Sequence, residues 1–399
     1  MKTFTFLFAF LYSILSLAQE KPFILKVAKT SNGLLIPATS DYKLTVKDNT
    51  GAIIIDNKLK SELILNETTN RLNHLDNNSY VTINSAADGT IFTLEFTNVN
   101  VTQPLKISGR KIVNNDFTDF DTSVKEISQW GTVLWDPDLS YFMYNAKNLI
   151  ISAIDIPNFS NVVNFKNAFE NTFLIERIPN INNWDVSKVN DMQNMFAGAR
   201  KFNANLNNWN TSNVTDMNHM FWQANAFNGD ISSWTTSNVS NMAYMFNGAS
   251  VFNQDIGNWD TENVTSISYM FHNATNFNQD LSSWNTSKVE GIGGTFLNAT
   301  SFNQDLSSWD MHEVVIVRDF LTDSGLDCIN FSKLLNNWAT NYMNKTWDFG
   351  TNPMNIIYNK SASSAYNLLT TTSSTHIKWT FTGVTYDQNC GVKPFTLKV

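Results

Sequence analysis

Residues 209–224 read Trp-Asn-Thr-Ser-Asn-Val-Thr-Asp-Met-Asn-His-Met-Phe-Trp-Gln-Ala, and the framework of this stretch returns at a fixed interval. Six tryptophans lie 25 residues apart, at Trp184, Trp209, Trp234, Trp259, Trp284 and Trp309. Three further columns keep the same interval: Phe196 to Phe296, Ala199 to Ala299, and Phe202 to Phe302. A period of this size, held without insertions, predicts stacked units that each pack on their neighbours.

The quoted stretch predicts a short helix in each repeat. Ser212 is a favourable N-cap, and apolar residues follow at spacings of three and four, namely Val214, Met217, Met220 and Phe221. The helix is expected to end before the repeated alanine, at Gly198, Gln223, Gly248, Asn273 and Asn298. Glycine and asparagine tolerate the left-handed conformation that ends helices. The fifth repeat departs from the pattern, because Ile292-Gly293-Gly294-Thr295 replaces Met-x-x-Met.

The other half of the repeat, for example residues 302–309, decides where the tryptophans lie. Leu306 and Trp309 are three residues apart, so a regular strand would point them to opposite faces. A bend would bury both side chains, as identical aromatic columns in a core suggest, whereas a straight strand would expose the tryptophans to sugar ligands. We prefer the buried arrangement. The predicted fold class is α/β, a leucine-rich-repeat-like solenoid of 25-residue coils.

The flanks complete a predicted domain order. Residues 1–18 form a signal peptide with Lys2, an apolar stretch over 4–17 and cleavage after Ala18; this stretch is shorter than a membrane span of ~20 residues. Residues 19–120 predict a small all-β, sandwich-like domain, because short apolar-polar alternations lie between turn residues. The solenoid is assigned to residues 121–325, a C-terminal cap to 326–391, and no membrane span is expected in the mature chain.

The last residues repeat the start of the mature chain. Lys21-Pro-Phe-Ile-Leu-Lys-Val27 and Lys393-Pro-Phe-Thr-Leu-Lys-Val399 agree at every position but one. We therefore take residues 392–399 as the start of a further module.

Composition excludes several kinds of function. The net charge is −8, only 16% of residues are charged, and no basic run exists, so a nucleic-acid partner is not expected. The five histidines show no metal spacing, and neither a phosphate loop nor a nucleophile motif is present. We therefore predict no catalytic, cofactor-binding or metal-binding residues and no cofactor. Cys328 and Cys390 allow either a disulfide or two buried thiols.

Two polar columns have structural and functional interpretations. The asparagines at 203, 228, 253, 278 and 303 resemble a ladder whose amides satisfy backbone groups between coils. Asp230, Asp255, Asp280 and Asp305 continue a column that starts at Asn205. These carboxylates either accept hydrogen bonds from the backbone of the next coil, which we prefer, or share a bridging cation.

The motifs resemble one known family. Residues 277–289, Phe-Asn-Gln-Asp-Leu-Ser-Ser-Trp-Asn-Thr-Ser-Lys-Val, and the Met-x-x-Met-Phe of sister repeats are similar to the BspA-like leucine-rich-repeat surface proteins, common in Bacteroidetes and also found in mycoplasmas. The resemblance covers residues 125–345. It implies a secreted or cell-surface protein, without enzymatic activity, that mediates adhesion or protein recognition. The alternative is a glycan-binding module with an exposed tryptophan column, so the expected partner is an extracellular protein or glycan.

Overall fold

The computed structural model describes most of the chain. The described residues are 21–28, 34–36, 42–59, 73–75, 78–81, 86–98, 104–107, 110–113, 116–119, 123–342, 344–345, 347–350, 352, 354–370 and 381–390. The predicted signal peptide and the predicted start of a further module at 392–399 lie outside these residues. No helix in the described part is long and apolar enough to cross a membrane.

The N-terminal region consists of short strands. Those in one sheet are β1 (Phe23–Ala28), β3 (Lys43–Lys47), β4 (Ile53–Leu59), β7 (Ile91–Thr97), β10 (Val124–Gln129) and β11 (Ile150–Ile151). Its order is β11-β10-β1-β7-β3-β4, with all pairs antiparallel except β10-β11. Phe23, Leu25 and Val27 of β1 are fully buried, as alternation along a strand with one apolar face requires.

Five more strands belong to two smaller sheets. They are β2 (Leu34–Ile36), β5 (Asn73–Leu75), β6 (Asn78–Val81), β8 (Arg110–Val113) and β9 (Asp116–Asp119). The first three form a sheet in the order β2-β6-β5, and β8 pairs with β9.

We call each repeat unit a coil. Successive coils are joined by parallel backbone bridges, one from each coil to the next. The bridges connect Asp138, Asn164, Asp191, Asp216, Asn241, Ser266, Gly291 and Ile316 in that order. The described part of the chain is therefore mostly sheet and turns with few helices, and its stacked coils are compatible with a repeat fold. From Asp191 onward each bridge partner lies 25 residues after the last.

The predicted helix of each repeat is wrong, and with it the α/β assignment of the repeats. Residues 218–223 form successive turns instead of an α-helix. His219 has φ 57° and Gln223 has φ 56°, whereas an α-helix needs negative φ throughout. The left-handed residue predicted before each alanine is confirmed, but it is the second of two in each coil.

Backbone N–H groups in these turns alternate between two kinds of acceptor. The N–H groups of Met217, His219, Phe221 and Gln223 donate to carbonyl oxygens of the next coil at 2.7–3.1 Å. Those of Met220, Trp222 and Ala224 donate three residues back within their own coil at 3.0–3.1 Å. Each coil therefore satisfies its own polar backbone only when a neighbour is stacked on it.

Aromatic columns fill the interior of the stack, as predicted. The six periodic tryptophans are only 2–4% exposed, which contradicts the alternative of an exposed column. Phe221 lies 3.8 Å from Phe227 in its own coil and 5.7 Å from Phe246 in the next, measured between ring centroids. The interior is thus a continuous column of stacked rings.

A bend lets each tryptophan enter this core. Trp209 N–H donates to the Leu206 carbonyl at 3.0 Å, so the chain turns between the two buried side chains. From Trp209 onward the indole Nε1 also donates to the carbonyl 28 residues earlier; for Trp234 the acceptor is Leu206 at 2.8 Å. The predicted bend is therefore confirmed, and the polar edge of the buried ring is satisfied.

The C-terminal region closes the stack. It contains α1 (Cys328–Asn341), α2 (Ser363–Thr370), β12 (Ile356–Tyr358) and β13 (Val384–Tyr386), with β12 parallel to β13. Asp327 caps α1, since its Oδ1 accepts from Ile329 N and Asn330 N. Cys328 and Cys390 form a disulfide with Cα atoms 6.0 Å apart.

The buried tryptophan column can be tested by truncation in a middle coil. Trp234→Ala should lower the free energy of unfolding by about 3–5 kcal/mol, because it empties a large core site. Trp222→Ala is the matched control: its indole is 37% exposed, and we expect a loss below about 1 kcal/mol. Urea titration measures both values. Equal losses in the two variants would contradict the assigned core.

The disulfide between Cys328 and Cys390 can be tested by thiol titration. Protein oxidised in a thiol-free buffer should contain no titratable thiol after unfolding in denaturant. Reduction should lower stability by about 2–4 kcal/mol, because the bridge restricts the unfolded chain. Two titratable thiols in the oxidised protein would exclude the bridge.

Candidate binding surface

The turns of each coil leave one set of side chains partly exposed. In the type coil these are Asp216, Asn218, His219 and Trp222, whereas Met217, Met220 and Phe221 are fully buried. We call the surface formed by these four positions, and by their equivalents in other coils, the bridge face. This surface follows from the turn geometry, which buries Met217, Met220 and Phe221 but leaves Trp222 exposed.

Three rings are stacked on the bridge face. His219 lies 4.4 Å from Tyr244, and Tyr244 lies 4.9 Å from Tyr269, with interplanar angles of 6° and 13°. We call these three residues the ring column. A Cβ atom on Gly294, the next residue at this position, would lie 2.3 Å from Tyr269 Cε1. The Tyr269 ring therefore packs directly on the glycine backbone.

All three residues of the ring column have left-handed backbone. Their φ values are 57° for His219, 60° for Tyr244 and 56° for Tyr269. Tyrosine adopts this conformation only at a cost of order 1–2 kcal/mol, whereas glycine, asparagine and, to a lesser degree, histidine do so more readily. Asn194 and Gly294 occupy the same position in neighbouring coils. The backbone conformation alone would therefore favour asparagine or glycine, and not tyrosine, at this position.

A second row of side chains lies beside the ring column. We call Trp222, Asn247 and His272 the platform, because they occupy one position in three successive coils. The Trp222 ring is turned 72° from His219, and the His272 ring 66° from Tyr269. The rings of the ring column are stacked on one another in the direction in which the coils stack. The planes of the Trp222 and His272 rings therefore lie nearly parallel to that stacking direction.

Amides hold the platform in place. Asn247 Nδ2 lies 3.1 Å from His272 Nδ1, and Asn273 Nδ2 lies 3.0 Å from His272 Nε2. Asn247 itself is only 5% exposed. The imidazole of His272 is therefore oriented by contacts on both ring nitrogens.

Burial determines the charge of the two histidines. It lowers the pKa of His219 and also that of His272. Both imidazoles are consequently neutral at pH 7, so each ring carries one donor and one acceptor nitrogen, and in His272 both nitrogens already contact amides.

The bridge residues themselves serve the turns. Asp216 Oδ1 accepts from Asn218 N at 2.8 Å, and Asn241 Oδ1 from Ala243 N at 3.0 Å. Burial raises the pKa of Asp216, and the neighbouring Asp191 carboxylate adds to the effect. The side chains of these bridge residues therefore mainly stabilise the backbone of the turns.

The surface of the middle coils has no cationic side chain. No lysine or arginine occurs between Lys201 and Lys288 in the sequence. Anionic ligands would find no complementary charge on the coils between these two residues.

The two polar columns predicted from the sequence lie away from the bridge face. The asparagine ladder is confirmed: Asn203 Oδ1 accepts from Asn228 N at 3.0 Å, and the pattern continues to Asp327 N on Asn303 Oδ1 at 2.9 Å. The preferred role of the aspartates is wrong, because Asp230 Oδ1 accepts from Ser232 N in its own coil at 3.0 Å. Only Asn205, at the start of that column, bonds the next coil, accepting from Asp230 N at 3.0 Å.

Sequence reasoning named no site residues and missed the ring column and platform. The signal was present, because His219, Tyr244 and Tyr269 share one register at 25-residue intervals. Among the described residues no group of three His, Cys, Asp or Glu side chains could hold a metal ion. The side chains of His74 and His376 lie outside the described part.

The comparisons with known proteins identify the repeats. A family model described as "Mycoplasma protein of unknown function, DUF285" matches residues 137–254 and again 229–338, together just over half of the chain. The chain belongs to the DUF285 family. No curated protein and no solved structure matches it. The DUF285 matches begin beside the bridge residue Asp138 and end within α1, so they coincide with the stacked coils.

The lowered histidine pKa values predict a pH effect. Below the unfolded-state value of ~6.5 the unfolded chain binds protons that folded His219 and His272 resist, so stability falls as the pH drops through this range. The unfolding midpoint should be lower at about pH 5.5 than at about pH 7.5. His219→Asn, which copies Asn194, should reduce this difference. Thr235→Ala, at an exposed residue outside the bridge face, is the control and should preserve it; an unchanged difference in His219→Asn would contradict the assignment.

Proposed function

We propose that this protein is a secreted or cell-surface protein, without enzymatic activity, that recognises an extracellular ligand. The recognition surface is the bridge face of a leucine-rich-repeat-like solenoid. One observation carries the proposal: bulky aromatic residues occupy the left-handed position in three successive coils, where asparagine or glycine would fit at lower cost. Strained residues that cluster on one surface are a reason to assign a function to that surface.

Packing needs do not account for the ring column. The interior is already filled by the buried phenylalanine and tryptophan columns, while His219, Tyr244 and Tyr269 remain partly exposed. The aromatic rings thus add area where a partner can reach it, and Tyr and Trp side chains are enriched in recognition surfaces.

Ring spacings support a concave bridge face. Rings of the ring column lie 4.4–4.9 Å apart, whereas Phe221 and Phe246 in the interior are 5.7 Å apart and Trp209 and Trp234 are 6.2 Å apart. Coils that approach more closely on one side curve around it, and solenoids use such concave surfaces for binding.

The family relationship is consistent with this role. The Trp-spaced and Met-Phe repeats resemble the BspA-like surface proteins, for which adhesion and protein recognition are expected. Export is supported by the sequence pattern of residues 1–18. The Cys328–Cys390 bridge also suits an oxidising compartment.

A binding screen with two variants tests the proposal. Full-length mature protein is passed over immobilised extracellular-matrix proteins and polysaccharides, and binding is measured by surface plasmon resonance. The double variant Trp222→Ala/Tyr244→Asn removes aromatic area from the bridge face but keeps a residue suited to left-handed backbone. We expect it to lose binding by ~10-fold or more, because aromatic anchors dominate recognition.

Thr235→Ala provides the control, since Thr235 is exposed on another side of the same region. It should bind as the wild type does. Failure of the wild type to bind any surface would overturn the proposed function. Equal binding by the wild type and the double variant would overturn the assignment to the bridge face.

A further inference from the structure

Trp222 is the one tryptophan of the middle coils that lies outside the buried column. It is 37% exposed, whereas Trp209 and Trp234 on either side are 2% and 4% exposed. Its ring plane is turned 72° from that of His219, so the plane of the indole runs nearly parallel to the direction in which the coils stack. An exposed indole face is electron-rich and attracts the polarised C–H groups on a pyranose ring.

Several uncharged polar groups lie along the bridge face near Trp222. They include the neutral imidazoles of His219 and His272 and the amides of Asn218 and Asn247. Within the described residues, the hydroxyl groups of Tyr244 and Tyr269 have no hydrogen-bond partner. Sugar hydroxyls both donate and accept hydrogen bonds, and these side chains match both roles.

Charge excludes the anionic alternatives. The chain from 202 to 287 has no lysine or arginine. Asp216, on the bridge face itself, interacts more strongly with the Asp191 carboxylate than with Lys166. Sulfated or uronic polysaccharides would therefore meet net negative charge on these coils. The hot spots of protein interfaces commonly include arginine, which these coils also lack.

From these observations we infer that the bridge face binds an uncharged polysaccharide, with a sugar ring stacked on Trp222 and the chain running along the platform toward His272. This inference rests on the proposed function and names the ligand class of the same surface. Adjacent rings of the ring column beside Trp222 are 4.4–4.9 Å apart, a spacing close to the length of one pyranose unit. The inferred register is one sugar per coil, with Trp222 as the exposed aromatic contact.

Calorimetry with defined oligosaccharides tests the inference. The probes are cello-, manno-, xylo- and chitohexaose, with heparin and polygalacturonate as charged comparisons. We expect at least one neutral hexasaccharide to bind, with an affinity that is unchanged between ~50 mM and ~500 mM NaCl. Trp222→Ala should weaken this binding ~10-fold or more, Trp222→Tyr should retain most of it, and Thr235→Ala should leave it unchanged.

The outcomes separate this inference from the proposed function. If matrix proteins or charged polysaccharides bind through the bridge face and no neutral hexasaccharide does, the inference is overturned and the proposed function stands. A neutral hexasaccharide that binds Trp222→Ala as tightly as the wild type also overturns it. If neither the proteins nor the saccharides bind, both proposals fall. Circular dichroism of each variant verifies that the loss of binding is not a loss of fold.

Discussion

The architecture depends on how each coil divides its backbone N–H groups. Alternate donors in the turns close bonds within the coil, and the others point to carbonyl oxygens of the next coil. A single coil would leave half of these donors without protein partners. Because buried donors without partners are costly, a coil is stable only within the stack. The aromatic columns then follow, since the same 25-residue register that aligns the hydrogen bonds also aligns the rings.

The left-handed positions connect this backbone to the surface. Two such residues per coil are required to direct alternate N–H groups outward, and the first of them also aims its side chain at the bridge face. Where that residue is asparagine or glycine, the conformation is easily adopted. In three middle coils it is histidine or tyrosine, and the strain is offset by ring stacking along the column. The ring column therefore combines partly exposed aromatic side chains with left-handed backbone.

Sequence reasoning predicted the parts of the fold that depend on periodic apolar residues. The buried tryptophan column, the bend before it and the asparagine ladder all follow from residue type and spacing. The helix was wrong because Met217, Met220 and Phe221 have helical spacing, yet successive turns bury the same positions. Tyr244 and Tyr269 belong to a type that seldom adopts positive φ, so residue type alone did not predict it. The ring column was consequently missed with the turns that produce it.

The absence of lysine and arginine from the middle coils has a consequence beyond ligand charge. Trypsin-like proteases cut only after these two residues, and none occurs between Lys201 and Lys288. Even a locally opened middle coil would offer such an enzyme no cleavage site. Asparagine, serine and threonine instead supply much of the polar surface there, without the residues that these proteases recognise. The composition of the coils that carry the platform and ring column therefore protects them from these proteases even when they are unfolded.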